Sequence, residues 1–179
     1  VPRNVEVKAR VIDLAEVEAR ARRVATDGPV DIAQDDTFFA CPNGRLKLRQ
    51  FANRTGELIH YLRENDPGPK VSEYWISPVE SPDVLRESLA RALGVVGRVR
   101  KRRRVYLVDR TRVHLDVVEG LGCFVELEVV LAHGESPQSG EIVARDLMSM
   151  LGIGRSQWVE GAYLDLQPEC ATELVASER

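Results

Sequence analysis

With 179 residues, 44 % of them hydrophobic and 30 % charged, the chain is long enough to bury one core and too short for two ordinary domains. No apolar run approaches the ~20 residues of a membrane span, and the N-terminal stretch has no signal-peptide core, so a soluble protein without a membrane partner is expected. Cys41, Cys123 and Cys170 are widely separated and form no CxxC pair, which argues against structural zinc and a disulfide framework and for a reducing cytoplasm. The net charge of −3 conceals segregation: "RVRKRRR" at 98–104 is strongly basic and "ELE" at 126–128 is acidic.

Residues 3–12 alternate as a strand. The helix that follows is expected to be capped by Asp13, with Glu16 completing a capping box, Leu14, Val17, Ala21 and Val24 on one face, and Gly28-Pro29 at its end. Residues 30–77 read as strands broken at "PNG", "NRTG" and "DPGP". A second helix is expected from Ser81 to a stop at Gly94. Strands broken at "DRT" and "EGLG" fill 97–131, and a third helix has the same Ser-Pro opening at 136–137. A short fourth helix is expected from about Ser156 to Leu166, then an acidic tail at 167–179. The pattern is an α+β domain over 1–166, with about eight mostly antiparallel strands and three or four helices. Eight strands are enough to close a barrel.

Each strand has one apolar and one ionic face, because side chains alternate. Glu6 and Lys8 alternate with valines. Lys47 and Arg49 alternate with leucines, and Arg63 follows Tyr61 with Leu62 facing away. Arg112, His114 and Asp116 alternate with Val113 and Leu115; Glu126 and Glu128 alternate with Val125, Leu127 and Val129. One purely basic strand and one purely acidic strand differ from the mixed charge of a solvated face. If the helices cover the apolar faces from outside, the ionic faces turn inward, and an interior lined by cations needs a polyanion. Strand-borne carboxylates at the same place suit a hard divalent cation beside phosphate oxygens. A nucleic-acid patch at 98–104 is the rival reading, disfavoured by the acidic net charge and by the lack of interleaved aromatics.

At these residues the chain resembles the CYTH superfamily, the triphosphate tunnel metalloenzymes, nearest to its class IV adenylyl cyclase type. "NVEVK" resembles the ExExK strand, "DDTFF" and "GRLKLR" the next motifs, "KRR" at 101–103 the KxR pair, and "RTRVHLD" and "GLGCFVELE" the late acidic strands. The resemblance spans about 1–165. It implies an eight-stranded antiparallel tunnel that binds a triphosphate with Mg²⁺ or Mn²⁺, and homodimerisation as in many members. The activity implied is conversion of ATP to cyclic AMP and pyrophosphate. Hydrolysis of thiamine triphosphate, inorganic triphosphate or a nucleoside triphosphate is the alternative, and a non-catalytic polyphosphate-binding module a third.

Lys8, Lys47, Arg49, Arg63, Lys70, Lys101, Arg103 and Arg112 are the implied phosphate clamp. Glu6, Asp116, Glu126 and Glu128 are the implied metal ligands, and Lys8, Arg103 and Glu126 the implied catalytic groups. Asn4 stands where the first motif Glu belongs, so its amide brings an oxygen but no charge. Tyr61 and Tyr106 read as core aromatics, His114 as a hydrogen-bonded structural histidine with a proton shuttle as its alternative, and Arg98 and Arg100 as outward and solvated. Lys70 and Ser72 would stand at the tunnel mouth, and Tyr163 would help close one end.

Overall fold

The alternation closes on itself. In the computed structural model, which describes residues 1–66 and 68–168, eight strands form a closed barrel in the order β1-β5-β4-β3-β2-β6-β7-β8, every pair antiparallel. In chain order the elements are β1 (Arg3–Val11), α1 (Leu14–Val24), β2 (Asp27–Phe39), β3 (Arg45–Phe51), β4 (Gly56–Arg63), β5 (Lys70–Val79), α2 (Pro82–Leu93), β6 (Val95–Val108), β7 (Thr111–Val118), β8 (Gly122–Val130) and α3 (Pro137–Met150). Closure leaves no free sheet edge and forces a choice of face: one goes in, the other out.

The apolar face goes out. Val5, Val7, Val113, Val125, Leu127 and Val129 are fully buried beneath α1 and α3, against Val17 and Ala21 of one helix and Ala144, Leu147 and Met148 of the other. The hydrophobic core therefore lies between the barrel wall and the helices, as the three-helix coat implied. A second cluster, Phe38, Val99, Val118, Phe124 and Tyr163, plugs one end of the barrel. Among the described residues no helix is long and apolar enough to cross a membrane.

Local signals hold with three corrections. Asp13 accepts from the Glu16 backbone N–H at 2.9 Å, but the Glu16 carboxylate turns to Arg20, so only half of the capping box forms. Gly28-Pro29 does not end α1. The helix stops at its cap, Ala25, and the dipeptide lies within β2 where the register with β6 shifts. The expected fourth helix is two 3₁₀ turns, Arg155–Gln157 and Tyr163–Leu166. Between them Trp158 pairs with Ala9, and Val159 N–H donates to the Lys8 carbonyl, so β1 draws the segment into extended form. Gly161 then turns the chain at φ 77°. The tail beyond 168 lies outside the described residues.

Helix α3 can sit this close to the wall only because position 140 lacks a side chain. A Cβ there would stand 2.8 Å from both Val5 Cγ2 and Leu131 Cδ2. Gly140→Leu should cost about 1–3 kcal/mol by overpacking, read as a lowered midpoint in chemical denaturation. An unchanged midpoint would mean that α3 does not seat on β1 as described.

Candidate active site

The ionic face goes in. The lumen is a cavity of about 520 Å³, and Glu6, Lys8, Lys47, Arg49, Arg63, Lys101, Arg103, Arg112, Glu126 and Glu128 are all on its wall. These residues come from six strands and meet through barrel closure. Lys101 and Arg103 point inward, whereas Arg98 and Arg100, two of their outward neighbours, are about half exposed and pair with Asp35. The basic run is thus one strand split between two faces.

The lumen is ordered along its axis. At the plugged end, Lys8 Nζ sits 4.1 Å over the Tyr163 ring and bonds the Gly161 carbonyl, and Lys101 Nζ is 5.2 Å from the same ring. Lys47 and Arg49 share Asp36 with Lys101, at 2.9, 2.8 and 3.5 Å. Further along, Arg103 donates through Nε and Nη2 to both oxygens of Asp116 at 2.7 and 2.6 Å, and through Nη2 to Glu126 at 2.7 Å. The Tyr163 hydroxyl donates to Asp116 at 2.7 Å, so Asp116 is fully engaged. Beyond lie His114, Glu126 and Glu128. Past these the wall is mostly apolar toward the open mouth, with Val30, Ile32, Phe51, Ile76, Val105 and Leu107 beside Asp27 and Glu57. Arg112 bonds Glu128 at 3.0 Å there and is the most exposed of the paired lumen arginines.

Buried charges survive only because they are paired. Burial alone would raise the Asp36 carboxyl, but Arg49, Lys47 and Lys101 outweigh it and hold it well below the usual range. For Glu126 the same burial is outweighed by Lys8, the nearby His114 and Arg103. Lys101 goes the other way. Burial pushes it down to about 7, against the pull of Asp36, with Arg103 and Arg49 adding to the fall. Burial also lowers Lys70, to about 8.

The residues present suit a divalent cation. His114, Glu126 and Glu128 offer three ligand atoms within 4.8 Å of one another. Asn4 Oδ1 and His114 Nδ1 are buried and have no hydrogen-bond partner among the described residues, and both residues line the lumen. A buried amide oxygen and an imidazole nitrogen beside carboxylates are donor atoms of the kind a divalent cation takes.

Several placements differ from expectation. Lys70 is buried opposite Glu6, but its ammonium donates to the Asp66 carbonyl and it is not part of the cavity wall; Ser72 is. Tyr61 packs against the end cluster, as a core aromatic would, and also lines the lumen, and burial raises its hydroxyl to about 12. Tyr106 is the core aromatic expected, and its hydroxyl donates to Glu18 at 2.7 Å. His114 is not a hydrogen-bonded structural histidine at Nδ1, which lies 3.6 Å from Glu126 and 3.9 Å from Glu128. The residue missed entirely is Asp36, hub of the plugged-end cations. Alternation within β2 itself, which puts Gln34, Asp36 and Phe38 on one face, was the available signal.

A closed antiparallel barrel with an ionic lumen and a helical coat is the triphosphate-tunnel architecture. The chain belongs to the CYTH family: the model of the CYTH domain matches residues 2–163. Its fold is shared with the PH1012 protein of Pyrococcus horikoshii OT3, at TM-score 0.81 and 22 % identity over 92 % of this chain and 99 % of that one. It is shared with a Vibrio parahaemolyticus protein described as an adenylate cyclase candidate, at 0.72 and 16 % identity over 91 % and 96 %. It is also shared with HpAC1 of Hippeastrum, described as an adenylyl cyclase candidate with a dominant triphosphatase activity, at 0.61 and 16 % identity over 86 % and 89 %. None of the curated proteins matches the chain significantly in sequence.

A polyanion in the lumen should restore the proton to Lys101. Near and above pH 7 the wild type should therefore take up more protons on binding tripolyphosphate than Lys101→Arg, whose side chain stays charged. The excess should grow between pH 7 and 8, where free Lys101 is increasingly neutral. Calorimetry in two buffers of different ionisation enthalpy measures it, and equal uptake in both proteins would place Lys101 away from the phosphates.

Proposed function

We propose that the chain is a metal-dependent enzyme on a nucleoside triphosphate, with adenylyl cyclisation ahead of hydrolysis. The observation that carries the proposal is the axial order of the lumen: a cationic dead end, a band of carboxylates and an imidazole, then an apolar mouth. A triphosphate ester inserted tail first puts its outer two phosphates among Lys8, Lys47, Arg49 and Lys101. Its first phosphate then stands at the carboxylate band, and its organic head at the mouth.

A divalent cation, Mg²⁺ or Mn²⁺, held by Glu126 and Glu128 with Glu6 opposite, would neutralise phosphate charge and polarise a phosphoryl oxygen. The chain's own groups do the rest by position. Arg63, now paired with Glu6, and Arg112, now paired with Glu128, are released toward phosphate as those carboxylates find a cation. Arg103 is held in place through Nε and Nη2 by Asp116, itself fixed by Tyr163, and faces the scissile region. When the ribose 3′-oxygen bonds to the α-phosphorus, the α–β bond breaks and pyrophosphate leaves. The charge that develops on it falls on lysines and arginines already in place. The apolar mouth suits a nucleoside better than a bare inorganic chain of phosphates.

Hydrolysis is the second reading, because the mouth admits solvent: the Arg112 side chain is 43 % exposed. Resolving the products formed from ATP and Mn²⁺ decides between them. Cyclic AMP with pyrophosphate is expected; ADP with orthophosphate would establish hydrolysis, and tight binding without turnover a binding module. Lys47→Met should lower kcat/KM by about 10²–10³-fold. Asp36 keeps Arg49 and Lys101 in that variant, so the fold should persist. An unchanged kcat/KM would put the phosphates elsewhere.

A further inference from the structure

We infer that His114 is a nitrogen ligand of the lumen's cation, and that this chain consequently selects Mn²⁺, or a cation of similar softness, over Mg²⁺. The inference deepens the proposed function and rests on its cation site.

The His114 side chain is only 4 % exposed, and its Nδ1 has no hydrogen-bond partner among the described residues. It faces Glu126 Oε2 at 3.6 Å and Glu128 Oε1 at 3.9 Å. These separations are too long for N–H···O bonds. They are close to what two ligands of one cation require, because ligands at about 2.1 Å from a shared ion stand at most about 4.2 Å apart. Small rotations bring the widest pair of the triad, within 4.8 Å, into that range.

Nδ1 thus lies between two carboxylate oxygens, a placement in which one metal ion would take a donor atom from each of the three side chains.

The other donors point the same way. Asp116, the remaining late-strand acid, has both oxygens occupied by Arg103, and one of them also by Tyr163. Asn4 supplies an uncharged oxygen. Mg²⁺ binds oxygen and gains most from carboxylate charge, whereas an imidazole donor favours later first-row cations. Exchanging carboxylate for amide and imidazole weakens the hold on Mg²⁺ more than that on Mn²⁺.

The test uses the full chain with Mn²⁺ alone, no phosphate present. Pulsed EPR should detect nitrogen coupling to bound Mn²⁺, and uniform ¹⁵N-histidine labelling should alter it in the unmutated protein. His60 bonds the Asn43 carbonyl and His133 is exposed beyond β8, so the coupling should vanish in His114→Asn. That variant places an amide oxygen near the position of Nδ1, and its Mn²⁺ over Mg²⁺ affinity ratio should fall at least about tenfold. Bound Mn²⁺ without nitrogen coupling, an unchanged ratio, or no Mn²⁺ binding would each overturn the inference. Tripolyphosphate binding, measured separately on the same protein, keeps the two readings apart. Binding without nitrogen coupling sinks His114 as ligand and leaves the tunnel standing. Nitrogen coupling without tripolyphosphate binding upholds His114 and sinks the proposed substrate.

Discussion

Opposite charges buried together in the lumen are the constraint on which the rest of this structure depends. A barrel that turns lysines, arginines and carboxylates away from water must pair them, because a lone buried charge is severely destabilising. Here the pairing is mutual and local: Asp36 with Lys47, Arg49 and Lys101; Asp116 and Glu126 with Arg103; Glu6 with Arg63; Glu128 with Arg112. The stability of the wall comes from elsewhere, from valines and leucines packed beneath α1 and α3. The lumen is tolerated by the fold more than it supports it.

That division gives the pairs a second use. Under the proposed function, each carboxylate–guanidinium bridge would stand in for contacts with a ligand of both signs, a polyanion and its counter-cation. On that proposal, binding would let arginines exchange carboxylate for phosphate oxygens and carboxylates exchange arginine for a cation, so that no group need be left unpaired in low dielectric. Asp36 and Asp116 are the exceptions. Each is buried to within 1 % and held by several partners, so they act as fixed posts that aim cations.

Much of this was legible in the chain before any coordinates. The period-2 alternation in β1, β3, β7 and β8 marks two-faced strands, and segregated signs on the polar faces argue that those faces meet a ligand. Caps at Asp13 and Ser136, and the Pro82 and Gly94 punctuation of α2, locate the helices within a residue or two. Reading failed where a long-range partner overrides a local signal. Gly28-Pro29 looked like a helix stop and became part of β2 through pairing with β6, and the 156–166 segment looked helical until Trp158 paired with Ala9.

What the amino-acid order dictates, then, is a set of amphipathic strands and their coat, because side-chain alternation and capping act over a few residues. Which charges face one another belongs to the closed barrel alone. Glu6 meets Arg63, Asp36 meets Lys101, and His114 meets Glu126 and Glu128 across strands whose register is set by the outer apolar packing. The dead end behind Tyr163 and the greasy mouth at Leu107 likewise exist only once closure gives the lumen two ends. No span of sequence carries that information, since it resides in how distant strands align around a common axis.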